Sequence, residues 1–177
     1  LEGNLWLLQN HTDDFTIDFL KATSGLVFNN NETVIGINGY VKDSFLGYGV
    51  SADGYVENSL LFNHVAVKKD AKIINAVVMT NNTIGPHAQI ENTLILPFCD
   101  ESQNTAQNIG DYVCIGGNTT HQNPDFPEQI NRGMTLIGYN AEIPKGMLIE
   151  EAVYLGPNVP VKHLKLIKAL KKGASFN

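Results

Sequence analysis

Aliphatic residues recur along this chain at steps of five and six, unlike the three-and-four spacing of a helix or the alternation of a two-faced strand. Three consecutive windows of 17 residues, 50–66, 67–83 and 84–100, show the pattern when aligned position by position. Val50, Val67 and Ile84 fall in one column, Val56, Ile73 and Ile90 in a second, and Leu61, Val78 and Ile95 in a third. Asn58, Asn75 and Asn92 form a polar column, and Gly54, Ala71 and Ala88 a column of small residues. A shorter unit precedes them, because Tyr40-Val41-Lys42-Asp43-Ser44-Phe45-Leu46 echoes the stretch from Tyr55 to Leu61. The pattern breaks after residue 100 and resumes at Ile109-Gly110 and Ile115-Gly116. It then runs with an unbroken step of six through Ile137, Ile143, Ile149, Leu155 and Val161.

Such a step suits a short strand and a corner forming one side of a triangular coil, with one aliphatic residue per side pointing inward. Coils of this kind stack at the inter-strand spacing of about 4.8 Å. The inward residues then form continuous ladders, each residue contributing roughly 1.5–3 kcal/mol when fully buried. Asn58, Asn75, Asn92, Gly85, Gly110, Gly138 and Gly156 sit where corners are needed and tolerate the backbone angles of a tight corner. The expected fold is all-β: a hexapeptide-repeat solenoid over residues 33–160 with a C-terminal capping helix.

Around the solenoid the pattern predicts three other parts. Residues 1–32 are non-repetitive and form an N-terminal junction segment, with a short helix over 13–23 and a loop over 25–32. Two excursions interrupt the coils. The stretch 100–108 is polar and projects, while 117–133 carries Pro124 and Pro127 and cannot continue a ladder. Residues 161–177 form a C-terminal helix and tail, with Leu164, Ile167 and Leu170 on one helical face and lysines 162, 165, 168, 171 and 172 around it. A repeat protein needs its open end closed, so a cap is the expected role. An anionic partner for the lysines is the alternative.

Composition narrows the function classes. With 43% hydrophobic and 17% charged residues the chain is a folded domain, and its net charge of −6 with a single arginine leaves no basic face for nucleic acid. No apolar run approaches the roughly 18 residues that span a bilayer, and the start of the chain has no signal-peptide pattern. Neither nucleic acid nor membrane is therefore expected as a partner. Cys99 and Cys114 have no paired motif and read as reduced thiols of a cytoplasmic protein. The sequence has no phosphate-binding glycine loop, nucleophile elbow or paired-histidine zinc motif, and its five histidines are dispersed. No metal ligand set, cofactor site or catalytic residue is expected. Arg132, after the proline-containing loop, is a candidate phosphate clamp. With Lys68 and Lys69 it makes the candidate effector-binding set.

Three stretches resemble the C-terminal region of bacterial glucose-1-phosphate adenylyltransferases, the ADP-glucose pyrophosphorylases. They are Asn4-Leu5-Trp6-Leu7-Leu8; Ser44 to Ile95, centred on Val56-Glu57-Asn58-Ser59-Leu60-Leu61-Phe62; and Gly133 to Gly138 with Ala141 to Gly146. The resemblance implies a left-handed parallel β-helix. It also implies a parent enzyme that joins ATP and glucose 1-phosphate into ADP-glucose and pyrophosphate for glycogen synthesis. ATP and Mg²⁺ belong in that family to a separate N-terminal nucleotidyltransferase domain. The β-helix contributes there to oligomer formation and to allosteric control by small effectors. The loop at 117–133 and the lysine-rich end depart from the family pattern.

Two other functions fit the same repeat. One is a trimeric acyltransferase using acyl-CoA, in which His64 or His87 would act as general base. The other is the solenoid of a different nucleotidyltransferase, such as a mannose-1-phosphate guanylyltransferase. A regulatory, non-catalytic paralogue of the adenylyltransferase would carry the same repeat.

Overall fold

The computed structural model describes residues 33–99 and 107–177. The expected N-terminal segment 1–32, its helix and nearly all of the 100–108 excursion lie outside the described residues. Eighteen short strands, all paired in parallel, wind the chain around three faces. The first face holds β1 (Val34–Ile35), β4 (Ser51–Ala52), β7 (Ala66–Val67) and β10 (Thr83–Ile84). The second holds β2 (Tyr40–Lys42), β5 (Tyr55–Glu57), β8 (Lys72–Ile74), β11 (Gln89–Glu91), β13 (Cys114–Gly116), β15 (Leu148–Ile149) and β17 (Ala169–Leu170). The third holds β3 (Phe45–Leu46), β6 (Leu60–Leu61), β9 (Val77–Val78), β12 (Thr93–Ile95), β14 (Thr135–Ile137), β16 (Tyr154–Leu155) and β18 (Ser175–Phe176). The protein is an all-β parallel solenoid.

Each strand is only two or three residues long because one inward side chain per face is all a triangular interior accepts. The second-face ladder runs Val41, Val56, Ile73, Ile90, Ile115, Ile149, Leu170. The third-face ladder runs Leu46, Leu61, Val78, Ile95, Ile137, Leu155, Phe176. The first continues from Ile84 through single bridges to Ile109 and Ile143. These residues and their neighbours make one continuous buried core.

One column of the 17-residue alignment is wrong. Ile84 does pair with Val67, but Val67 pairs with Ala52 rather than Val50. The corner Asp53-Gly54 between the first and second faces is two residues shorter than the equivalent corners, so a fixed offset overshoots there. Gly54 permits the tight corner, since a Cβ at that position would lie 2.4 Å from the carbonyl oxygen of Ala71. Val50 is still fully buried, in a separate inner column with Val65 and Asn82.

The corners follow the expected chemistry in part. Asn58, Asn75 and Asn92 have φ of 49°, 50° and 47° and stand at the corner between the second and third faces. His64 and Asn81 take the same conformation between the third and first faces, and Asp70, His87 and Tyr112 between the first and second. The conformation is one that Asn, Asp and His adopt more readily than a bulky residue such as Tyr112.

The C-terminal helix is shorter than its periodicity predicts. It is a single turn, α1 (Val161–Leu164), after which β17 and β18 return the chain to the second and third faces. Leu164 is fully buried and Leu170 nearly so. Leu164, Leu170 and Phe176 are spaced by six, so the hexapeptide step overrides the helical reading of the same residues. The single turn closes the third side of the final coil, which fits a cap.

Candidate functional site

The three edges and the outer faces of the solenoid carry all the chemistry that is available, because the interior is filled. Along the edge between the first and second faces, successive coils place Asp70, His87, Tyr112 and Lys145 next to one another. His87 Nδ1 lies 3.9 Å from Asp70 Oδ2, and its ring stacks on Tyr112 with centroids 4.7 Å apart. Lys145 Nζ stands 5.4 Å from the centre of the Tyr112 ring and 3.4 Å from Asp111 Oδ2. The Asp111 carboxyl is held below its ordinary range by a hydrogen bond from Gln107 Nε2, with Lys145 contributing. Lys68 and Lys69 project from this same edge and are exposed.

Arg132 is elsewhere. It stands at the edge between the second and third faces with φ of 52°, and its carbonyl accepts a 2.8 Å hydrogen bond from Asn92 Nδ2. The fold therefore brings Lys68 and Lys69 together but sets Arg132 on a different edge. His64 and His87 are also on different edges, His64 packing edge-on against Tyr48. Cys99 and Cys114 are free thiols, Cys114 pointing outward from the second face. Among the described residues no group of three or more His, Cys, Asp or Glu side chains could hold a metal ion.

The loop over 117–133 folds onto the solenoid and does not project. Its anchor is the fully buried Asn123, whose Nδ2 donates to the carbonyls of Ala152 (2.9 Å) and Gly173 (3.2 Å) on two successive coils. Asn123 Oδ1 accepts from the backbone N–H groups of Asp125 and Phe126. Ile130 is buried beside it, and Phe126 packs edge-on against Tyr154. A buried amide pair, Asn82 and Asn108, bridges the coils where the 100–108 excursion leaves the core. Asn108 Oδ1 accepts from the Thr83 N–H, and Asn108 Nδ2 donates to Asn82 Oδ1.

The second face is polar on its outside. Glu57 accepts hydrogen bonds from Lys42 Nζ (2.7 Å) and Tyr55 Oη (2.6 Å), which hold its carboxyl below the usual range. The third face is different. Phe45, Leu60, Phe62, Val77, Met79 and Leu94 form a second apolar cluster on its outer side, apart from the core. Leu60 and Val77 are only 5% and 3% exposed although they point away from the interior. Sequence reasoning missed this cluster, but the signal was present. The third-face strands read Leu60-Leu61-Phe62, Val77-Val78-Met79 and Leu94-Ile95-Leu96, apolar on both sides of the inward residue. Their second-face counterparts Tyr55-Val56-Glu57 and Gln89-Ile90-Glu91 have polar flanks, and Lys72-Ile73-Ile74 has one on its first side.

With this geometry in hand, the comparison with known families is decisive. Residues 26–137 match the family described as "GlmU-like, C-terminal hexapeptide". The chain belongs to this hexapeptide family. Among curated relatives of this member, the glucose-1-phosphate adenylyltransferase of Acetivibrio thermocellus is 29% identical over 144 residues, covering 78% of this chain and 32% of the relative. The glucose-1-phosphate adenylyltransferase of Thermomicrobium roseum is 33% identical over 86 residues, covering 48% of this chain and 18% of the relative. The chain spans about a third of the length of the first of these relatives. No helix of the described residues is long and apolar enough to cross a membrane.

Proposed function

We propose that this chain is the non-catalytic assembly and regulatory solenoid of a glucose-1-phosphate adenylyltransferase-like enzyme. The parent reaction joins ATP and glucose 1-phosphate into ADP-glucose and pyrophosphate. ATP and Mg²⁺ belong to a separate N-terminal nucleotidyltransferase domain. The observation that carries this reading is the outer apolar cluster on the third face. Leu60 and Val77 are covered within the chain, but Phe45, Phe62, Met79 and Leu94 around them are only partly buried, and this leaves outside the core an apolar surface of the kind that a solenoid holding other parts of an enzyme needs. The names of the relatives supply the chemistry of the parent.

In this reading the parent is a cytoplasmic homo-oligomer whose effector is a small anion. Lys68 and Lys69 form one cationic corner for it, and Arg132, on another edge, completes a site only with residues from elsewhere in the assembly. The test is made in the parent polypeptide. Phe62→Asp with Met79→Asp, at the partly exposed rim of the cluster, leaves the inner ladders intact, and should lower both the mass of the assembly in light scattering and the rate of ADP-glucose formation. Unchanged assembly and unchanged rate would overturn the proposal. A thermal shift with acetyl-CoA, abolished by His64→Ala or His87→Ala, would favour the acyltransferase instead.

A further inference from the structure

Charge is distributed unevenly along this chain. All eighteen acidic residues precede residue 161, while five of the twelve basic residues follow it. On the last coil Lys171 and Lys172 are paired with Glu150 and Glu151, each at 2.8 Å. Lys162, Lys165 and Lys168 are exposed and form no ion pair among the described residues. Between them stands Leu166, 85% exposed, with His163 also at the surface. The last coil thus presents three exposed lysines, with no ion pair among the described residues, around one leucine that the fold leaves in water.

We propose that this end of the solenoid docks on the surface of an anionic lipid bilayer. The contact is peripheral and needs no spanning segment, and it departs from the expectation that no membrane is a partner. Three features select a bilayer over other anions. Lysines near an anionic leaflet gain attraction without needing fixed partners, which suits long side chains that nothing in the protein holds. A soluble phosphate leaves Leu166 unexplained, whereas an apolar side chain among lysines is what the boundary between headgroups and acyl chains accepts. Protein interfaces are depleted in lysine and rich in aromatic residues and arginine, whereas the exposed residues among 162–168 are three lysines, His163 and Leu166. The acidic remainder of the molecule would be repelled by the same bilayer, so the protein should bind end-on.

The test is co-sedimentation of the full chain with vesicles of phosphatidylcholine, with and without one third phosphatidylglycerol. Binding is expected only to the anionic vesicles, and it should fall at least about tenfold when salt is raised from about 0.05 M to about 0.5 M. Lys162→Glu/Lys165→Glu/Lys168→Glu should abolish binding with an unchanged urea midpoint. Lys68→Glu/Lys69→Glu, a charge reversal several coils away along the same edge, should leave most of it. Leu166→Ser should weaken binding severalfold and keep its salt dependence. Equal binding to neutral and anionic vesicles would overturn the proposal, as would equal losses in the two charge-reversal variants. Failure to bind any vesicle, together with lysine-dependent retention on polyglutamate, would also overturn it and point to an acidic polypeptide partner.

Discussion

At the scale of single residues, position relative to the coil decides the cost of a substitution more than residue type does. Ile84 is fully buried on the first-face ladder, between Val67 and Ile109. Ile84→Asp places an unpaired carboxylate where no partner is available, and should destabilise the fold by at least about 3 kcal/mol. Lys68 lies one position beyond Val67 on the next corner and is exposed. Lys68→Ala should cost less than about 0.5 kcal/mol. Urea melts of both variants check the pair, and a large loss in the lysine variant would mean that the edge is covered. Buried polar residues obey a stricter rule. Asn82, Asn108 and Asn123 are in the interior, and each satisfies backbone groups there.

At the scale of the coil, the ladders were legible because the inward position repeats chemically and the corner beside it is often Asn or Asp. Two of the three aligned aliphatic columns match the register throughout, as does the echo of Tyr40–Leu46 in Tyr55–Leu61. The Val50 column failed because coil length is not constant, and nothing in the aliphatic pattern marks the two residues missing at Asp53-Gly54. Gly54→Ala should cost about 2 kcal/mol or more, because the added methyl meets the backbone of the next coil rather than a movable side chain. A neutral outcome in a urea melt would show that the corner can relax. The candidate site was less legible than the fold. Lys68, Lys69 and Arg132 are close enough in chemistry to suggest one cluster, but sequence alone does not tell which edge a loop residue reaches. The final coil escaped notice because its six-residue step was hidden within a helix-like run of Leu and Lys.

That coil is also one where acid should act. Hydrogen bonds from Lys171 Nζ and the Lys172 N–H hold the Glu150 carboxyl below its ordinary value, and Lys172 Nζ does the same for Glu151. A carboxyl whose pKa is depressed by folding contributes stability above its unfolded pKa and loses it as pH falls through the folded one. The loss should begin near the ordinary glutamate value of 4.5 and continue below it. Both groups are close to solvent, so salt will weaken the effect. Urea midpoints measured from neutral pH downward should fall less steeply in Glu150→Gln/Glu151→Gln than in the natural chain. Parallel curves would show that these pairs contribute nothing.

At the scale of the whole molecule, each coil touches only its neighbours, so stability is shared along one axis and the ends are weakest. The two ends of the described solenoid are built differently. On the first coil Val34 and Ile35 are more than half exposed and Ile37 is 99% exposed. The last coil is clamped by the hydrogen bond from Asn123 to the carbonyl of Gly173 and by the pairing of Lys171 and Lys172 with Glu150 and Glu151 of the coil before it. Amide hydrogen exchange should therefore be slowest in β8, β9, β11 and β12, where every strand has a neighbour on both sides. It should be fastest at β1, and intermediate at β17 and β18. Asn123→Ala removes the clamp and leaves two buried carbonyls short of a donor, at a cost of about 1–3 kcal/mol each. Exchange at β17 and β18 should then rise toward that of β1, while the central strands keep their protection. If the central strands loosen equally, the solenoid opens as one unit, and the loop over 117–133 supports the entire stack rather than its last coils.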